Sequence, residues 1–130
     1  MEIEVPNLWP DDLDGETSEV SPFAILKQQA AQLAQATKGI LHGTVSREPE
    51  PFGSGGFTYE FGINAPALRY NYDLFRLDQK QLDFYPLQCR FENETGEIGS
   101  EQEFYTWLKR VFSSEKTRLV VKRLIAQAKA

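Results

Sequence analysis

The residues able to do chemistry are few and lie far apart in the chain. The single histidine, His42, stands in Ile40 to Arg47, where Leu41, Gly43 and Val45 alternate with His42, Thr44 and Ser46. A lone imidazole performs acyl transfer only beside a serine or cysteine nucleophile, and no nucleophile motif accompanies this one. The single cysteine, Cys89, alternates with Leu87 and Phe91. It reads as a small buried side chain, forms no intrachain disulfide and offers no multi-cysteine metal site. Gly53-Ser54-Gly55-Gly56 has the glycine density of an anion cradle. It lacks a lysine and leads into a strand-like run instead of a helix whose positive end would face a phosphate, so it reads as a hairpin loop. Arg69, Tyr70, Tyr72 and Arg76 have the composition of a nucleic-acid platform, with aromatics to stack on bases and guanidinium groups for phosphates. Alternation separates Tyr70 and Tyr72 from Arg69, and Asp73, Asp78 and Asp83 add negative charge, so nucleic acid is not the expected partner. Catalytic, cofactor-binding and metal-ligating residues are therefore expected to be none.

Apolar patterning carries more information. Gly56 to Phe91 holds three runs rich in aromatic and branched residues. In Phe57 to Asn64 the apolar residues fall at every second position, which places Phe57, Tyr59, Phe61 and Ile63 on one face of a strand. Leu68 to Leu77 follows after Ala65-Pro66, with Leu68, Tyr70, Tyr72 and Leu74 continuing that face. Phe75 and Leu77 then fall on the polar side, which calls for a bulge or for cover on the reverse face. Gln81 to Phe91 is expected to be an edge or bulged strand because Pro86 cannot donate to a ladder. Glu92 to Gly99 reads as a polar loop. With Ile40 to Arg47 this makes four strands.

Helices flank the strands. Ser21 as N-cap and Pro22 at the first helical position open one that ends at Gly39, with Phe23, Leu26, Ala30, Leu33 and Thr37 along its buried stripe. Ser100-Glu101-Gln102-Glu103 writes a capping box. Phe104, Trp107, Leu108, Val111 and Phe112 form the stripe that should lie on the aromatic face of the sheet. A last helix, Glu115 towards Ala128, turns Thr117, Val120, Val121, Leu124 and Ala128 inward. The expected class is α+β: an N-terminal helix, a four-stranded antiparallel meander and two C-terminal helices packed on the sheet.

With 130 residues the chain fits one domain, expected to span 21–130 behind an acidic, mostly irregular arm at 1–20. The net charge of −5 is unevenly spread. The arm holds seven acids and no Lys or Arg, whereas residues 101–130 carry seven basic side chains against three acidic ones. No run approaches the ~18 apolar residues of a membrane span, and the N-terminus lacks a signal-peptide pattern, so a cytoplasmic location away from membranes is expected. Trp9 is the large aromatic of the arm and should occupy a groove, on its own domain or on a partner.

Ser21-Pro22-Phe23-Ala24-Ile25-Leu26-Lys27-Gln28-Gln29-Ala30, followed by Thr37-Lys38-Gly39 and by Phe57 to Leu77 with Ala65-Pro66-Ala67-Leu68, resembles a group of small uncharacterised bacterial proteins. The resemblance covers most of residues 21–128. It implies a bacterial, stand-alone domain and brings no activity or site residue. The function expected is a non-enzymatic protein–protein interaction module, an adaptor, chaperone or immunity-like protein, with a protein partner or a second copy. Trp9, Phe75, Leu77, Tyr85 and Leu119 are the candidate partner-binding residues, being apolar side chains left off the main buried faces. The alternative is a small-ligand-binding or enzymatic domain with a pocket between curved sheet and helices, lined by Tyr59, Tyr70, Tyr72 and His42.

Overall fold

Ser21 opens the first helix in the computed structural model, which describes residues 3–15, 17, 19–50 and 55–130. Its Oγ accepts the Ala24 N–H at 3.1 Å, and α1 runs Pro22–Ala36. Thr37 closes the helix: its hydroxyl donates to the Leu33 carbonyl at 2.9 Å and its oxygen accepts the Leu41 N–H at 3.1 Å. Lys38 and Gly39, both in the left-handed region, turn the chain back toward the sheet. Gly53 and Ser54 of the glycine-rich loop lie outside the described residues.

Five antiparallel strands follow in a meander: β1 His42–Pro49, β2 Phe57–Ala65, β3 Tyr70–Gln79, β4 Leu87–Phe91 and β5 Glu94–Ile98, ordered as in the sequence. The expected four become five because the polar segment after Phe91 is a strand. A two-residue turn with Glu92 at positive φ pairs Phe91 with Glu94. Only Ile98 of β5 is buried, so this edge strand carries no alternation to betray it. Strand β4 begins at Leu87, just after Pro86, and not at Gln81.

The register of β3 decides between the two alternatives posed at Phe75 and Leu77 in favour of a bulge, and it corrects their candidacy as partner-binding residues. Phe61 pairs with Phe75 and Gly62 with Asp73, leaving Leu74 as the extra residue of a bulge. The side chains therefore change phase: Tyr70 and Tyr72 before the bulge share one face with Phe75, Leu77 and Gln79 after it. Phe75 and Leu77 are accordingly core residues, 5% and 0% exposed, and no apolar reverse face exists for them to cover.

Helix α2, Glu101–Phe112, begins with the expected box: Ser100 Oγ accepts the Glu103 N–H at 3.2 Å, while the Glu103 carboxylate accepts the Gly99 N–H. Ser114 caps α3, Glu115–Lys129, in the same way. All three helices cover one face of the sheet. Phe75 meets Trp107 edge-on at 4.9 Å, Phe61 stacks on Phe75 at 5.1 Å, and Phe23 of α1 stacks on Tyr59 at 6.1 Å. Each fully buried Leu or Phe of this layer contributes roughly 1.5–3 kcal/mol. Gly43 lets α1 lie close to β1, since a Cβ there would stand 2.4 Å from Ala30 Cα. The opposite face is polar and, among the described residues, uncovered. Ser46, Glu60, Arg76, Arg90 and Thr95 stand side by side across the five strands, all exposed. Among the described residues no helix is long and apolar enough to cross a membrane.

Candidate functional site

Two features remain after the core is assembled: a segment whose apolar side chains have no cover, and clefts between the helices and the sheet. The segment is the described part of the arm. It contains no helix or strand, and its hydrogen bonds are local: Trp9 N–H donates to Asn7 Oδ1 at 3.1 Å, and Gly15 N–H to the Asp12 carbonyl at 3.2 Å. Ile3, Val5, Leu8, Trp9, Leu13 and Val20 are all exposed, Trp9 to 73%. Of the two grooves expected for Trp9, the one on its own domain is thus not occupied. The arm's bonds reach only two or three residues, so they do not tie it to the helix and sheet layers.

The larger apolar-walled cleft, about 500 Å³, lies between the start of β3 and α3. The bulge turns Tyr70 and Tyr72 toward it, and the single 3-10 turn Pro66–Leu68, with Arg69 left-handed after it, carries Leu68 to its edge. From α3 come Val120 and Leu124, flanked by Lys116, Arg123 and Gln127. Leu124 is buried at the base, Tyr72 and Val120 are half-buried, and Tyr70, Lys116 and Arg123 are exposed at the rim. Among the described residues no carboxylate lines it. The arrangement can hold an aromatic or aliphatic group and place negative charge against two cations. The sequence turned Tyr70 and Tyr72 inward and set Lys116 and Arg123 beside the buried arc of α3. That the two pairs meet was missed; the signal available was the seven-residue spacing of the cations around Val120.

A second cleft of about 220 Å³ opens between α1 and α3 over β2. Leu33, Phe61, Ile63, Leu74, Phe112 and Val121 form its walls, with Gln29 and Gln32 of α1 at its side. Thr117 is buried there, its Oγ1 3.1 Å from Ser114 Oγ.

The remaining candidate residues do not converge. Tyr85 is half-buried with its ring 6.4 Å from Phe104, and its hydroxyl has no hydrogen-bond partner among the described residues. Burial foremost, then Glu101 and Tyr105, pushes its phenol well above the usual tyrosine range. Leu119 is 40% exposed beside Glu115, Arg118 and Lys122 on the outer side of α3. Of the four residues expected to line one pocket, Tyr70 and Tyr72 share the cleft between β3 and α3 and the other two lie elsewhere. Tyr59 is buried and donates to Gln79 Oε1 at 2.7 Å, while His42 is exposed at the start of the edge strand β1. Cys89 is buried, and desolvation raises its thiol pKa. Among the described residues no three or more His, Cys, Asp and Glu side chains group to hold a metal ion. Compared with protein-family models, curated proteins and solved structures, the chain finds no match.

Proposed function

We propose that the chain is a non-enzymatic protein–protein interaction module, of the adaptor, chaperone or immunity-like kind, and that its arm is a segment read by a partner. The observation that carries this reading is the arm's composition and state together. Among the described residues, six large apolar side chains of the arm, Trp9 among them, are exposed, and the arm's hydrogen bonds are all local. Exposed aliphatic and aromatic groups clustered in one segment are the raw material of interface anchors, and Trp is enriched among residues that dominate binding energy. Leu119, exposed among Arg118 and Lys122, offers a second apolar point on a basic helix surface. The test compares the full chain with its Trp9→Ala variant by stoichiometric co-purification and by mass in solution. The wild type should retain a partner or self-associate, and Trp9→Ala should lose about tenfold or more in affinity. A strict monomer that retains nothing refutes the module.

The apolar cleft between α1 and α3 supports a second reading, a small-ligand-binding domain for a compact apolar molecule. Saturable one-to-one binding of a medium-chain fatty acid, abolished by Val121→Trp filling the cleft, is the expected result; absence of binding to the wild type rejects it.

A further inference from the structure

We infer that the cleft between β3 and α3 receives the arm of a second copy of this chain, Trp9 entering between Tyr70 and Val120 while Asp11 and Asp12 meet Lys116 and Arg123. The inference rests on the interaction-module reading and names the partner. Charge complementarity is its first support. The arm has seven acids and no base, and the cleft presents two cations with no carboxylate among the described residues that line it. Shape is the second. A tryptophan carries roughly 150–250 Å² of surface to bury, and the walls of the 500 Å³ cleft offer it aromatic faces and branched aliphatic groups, with cations at the rim positioned for its π-face.

Spacing agrees with this placement. Lys116 and Arg123 stand two turns apart, about 10 Å along α3. A Trp9 seated between them leaves Asp11 and Asp12, two and three residues on, no farther than the roughly 7–10 Å of a fully extended chain, a span that the turn at residues 11–14 shortens. The arm joins α1 at Ser21, near the end of the sheet where Phe23 stacks on Tyr59. Tyr70 pairs with Ala65 at the other end, six residues along β2 and so about 20 Å away. Trp9 is 73% exposed and is not among the residues that line its own chain's cleft, and Pro10 with the turn at residues 11–14 stiffens the backbone after it. A second copy imposes no such span, and mutual exchange of two arms closes a twofold dimer with two identical contacts. A nucleic acid would meet the same two cations, but it would also approach the arm's acids.

Sedimentation of the full chain tests the inference, with circular dichroism confirming that each variant is folded. The wild type should be a dimer that weakens with salt. Trp9→Ala and the double variant Lys116→Glu/Arg123→Glu should each raise the dimer dissociation constant about tenfold or more. Mixing these two variants should recover part of the association, because one supplies an intact arm and the other an intact cleft, which restores one of the two contacts. Adding Asp11→Lys/Asp12→Lys to the Lys116→Glu/Arg123→Glu chain should recover dimerisation by reversing both charges. A wild type that stays monomeric at every concentration reached, or a dimer indifferent to either variant, overturns the inference. So does a monomer that binds a single-stranded oligonucleotide through Lys116 and Arg123. A monomer that keeps a different partner through Trp9 overturns the second-copy occupant and leaves the interaction module standing, whereas a monomer that keeps nothing removes both.

Discussion

Tyr85 and Tyr59 hold their protons more tightly in the folded chain than an ordinary tyrosine at 10.0, both chiefly through burial, with Arg47 opposing the effect at Tyr59. As pH rises past about 10, the unfolded chain loses these protons first, so the folded state loses its advantage. Their contribution is fully present below that pH and falls away above it. Urea midpoints should therefore stay level between pH 7 and 8, begin to fall near 9 as the buried Cys89 thiol enters the same balance, and drop further beyond about 10, with Tyr85→Phe showing a shallower drop than the wild type in that last range. At neutral pH Tyr85→Phe should match the wild type or exceed it by about 1 kcal/mol, because it removes a buried hydroxyl that has no partner among the described residues. A drop of the same steepness in both proteins would disprove the assignment. Gly43 makes the opposite case, a position where adding one carbon is costly. A Cβ there would meet Ala30 Cα at 2.4 Å and Ala30 Cβ at 2.5 Å, so α1 would have to lift from β1. Gly43→Ala should lower unfolding free energy by roughly 1–3 kcal/mol in denaturant titration.

Elements whose boundaries are written in local chemistry are legible in the amino-acid sequence alone. Ser21-Pro22 and the Ser100/Glu103 box mark the starts of α1 and α2 because a cap is satisfied by residues three or four positions away. Ser100→Ala should accordingly cost about 1 kcal/mol in thermal or urea unfolding, the value of one lost cap, while leaving the exposed arm unaltered. The stripe from Phe104 to Val111 is equally plain, since its 3.6-residue period is a property of the helix alone. What depends on pairing is harder to see. Strand β5 lies at an edge with a single buried side chain, so its sequence resembles a loop. The Leu74 bulge changes the phase of Phe75 and Leu77 only because Phe61 pairs where it does. The cleft is hidden for the same reason: Tyr70 and Lys116 are brought together by the path of α3 across the start of β3, and neither residue's neighbours in sequence encode that path.

At the scale of the molecule, the recognition role proposed for the arm falls on a part of the chain that the packed core does not use. The stabilising contacts lie between three helices and the inner face of the sheet, whereas the arm contributes a 73% exposed Trp9 and only local hydrogen bonds. Removing an exposed side chain that packs against nothing changes stability by no more than about 0.5 kcal/mol. Removing an interface anchor costs about 2 kcal/mol or more of binding. Trp9→Ala should therefore leave the unfolding midpoint of the isolated monomer unchanged while abolishing most of its association. The same separation applies to charge. The acidic arm and the basic C-terminal segment attract across a distance that salt screens beyond about 8 Å at physiological ionic strength. Raising salt should weaken association of the wild type strongly and, by screening the like charges now facing each other, slightly strengthen what remains in a Lys116→Glu/Arg123→Glu chain, with monomer stability nearly constant in both. If Trp9→Ala instead lowered the monomer's midpoint in step with its association, the arm would be part of the folded core in solution, and its exposed residues could not serve as a free recognition segment.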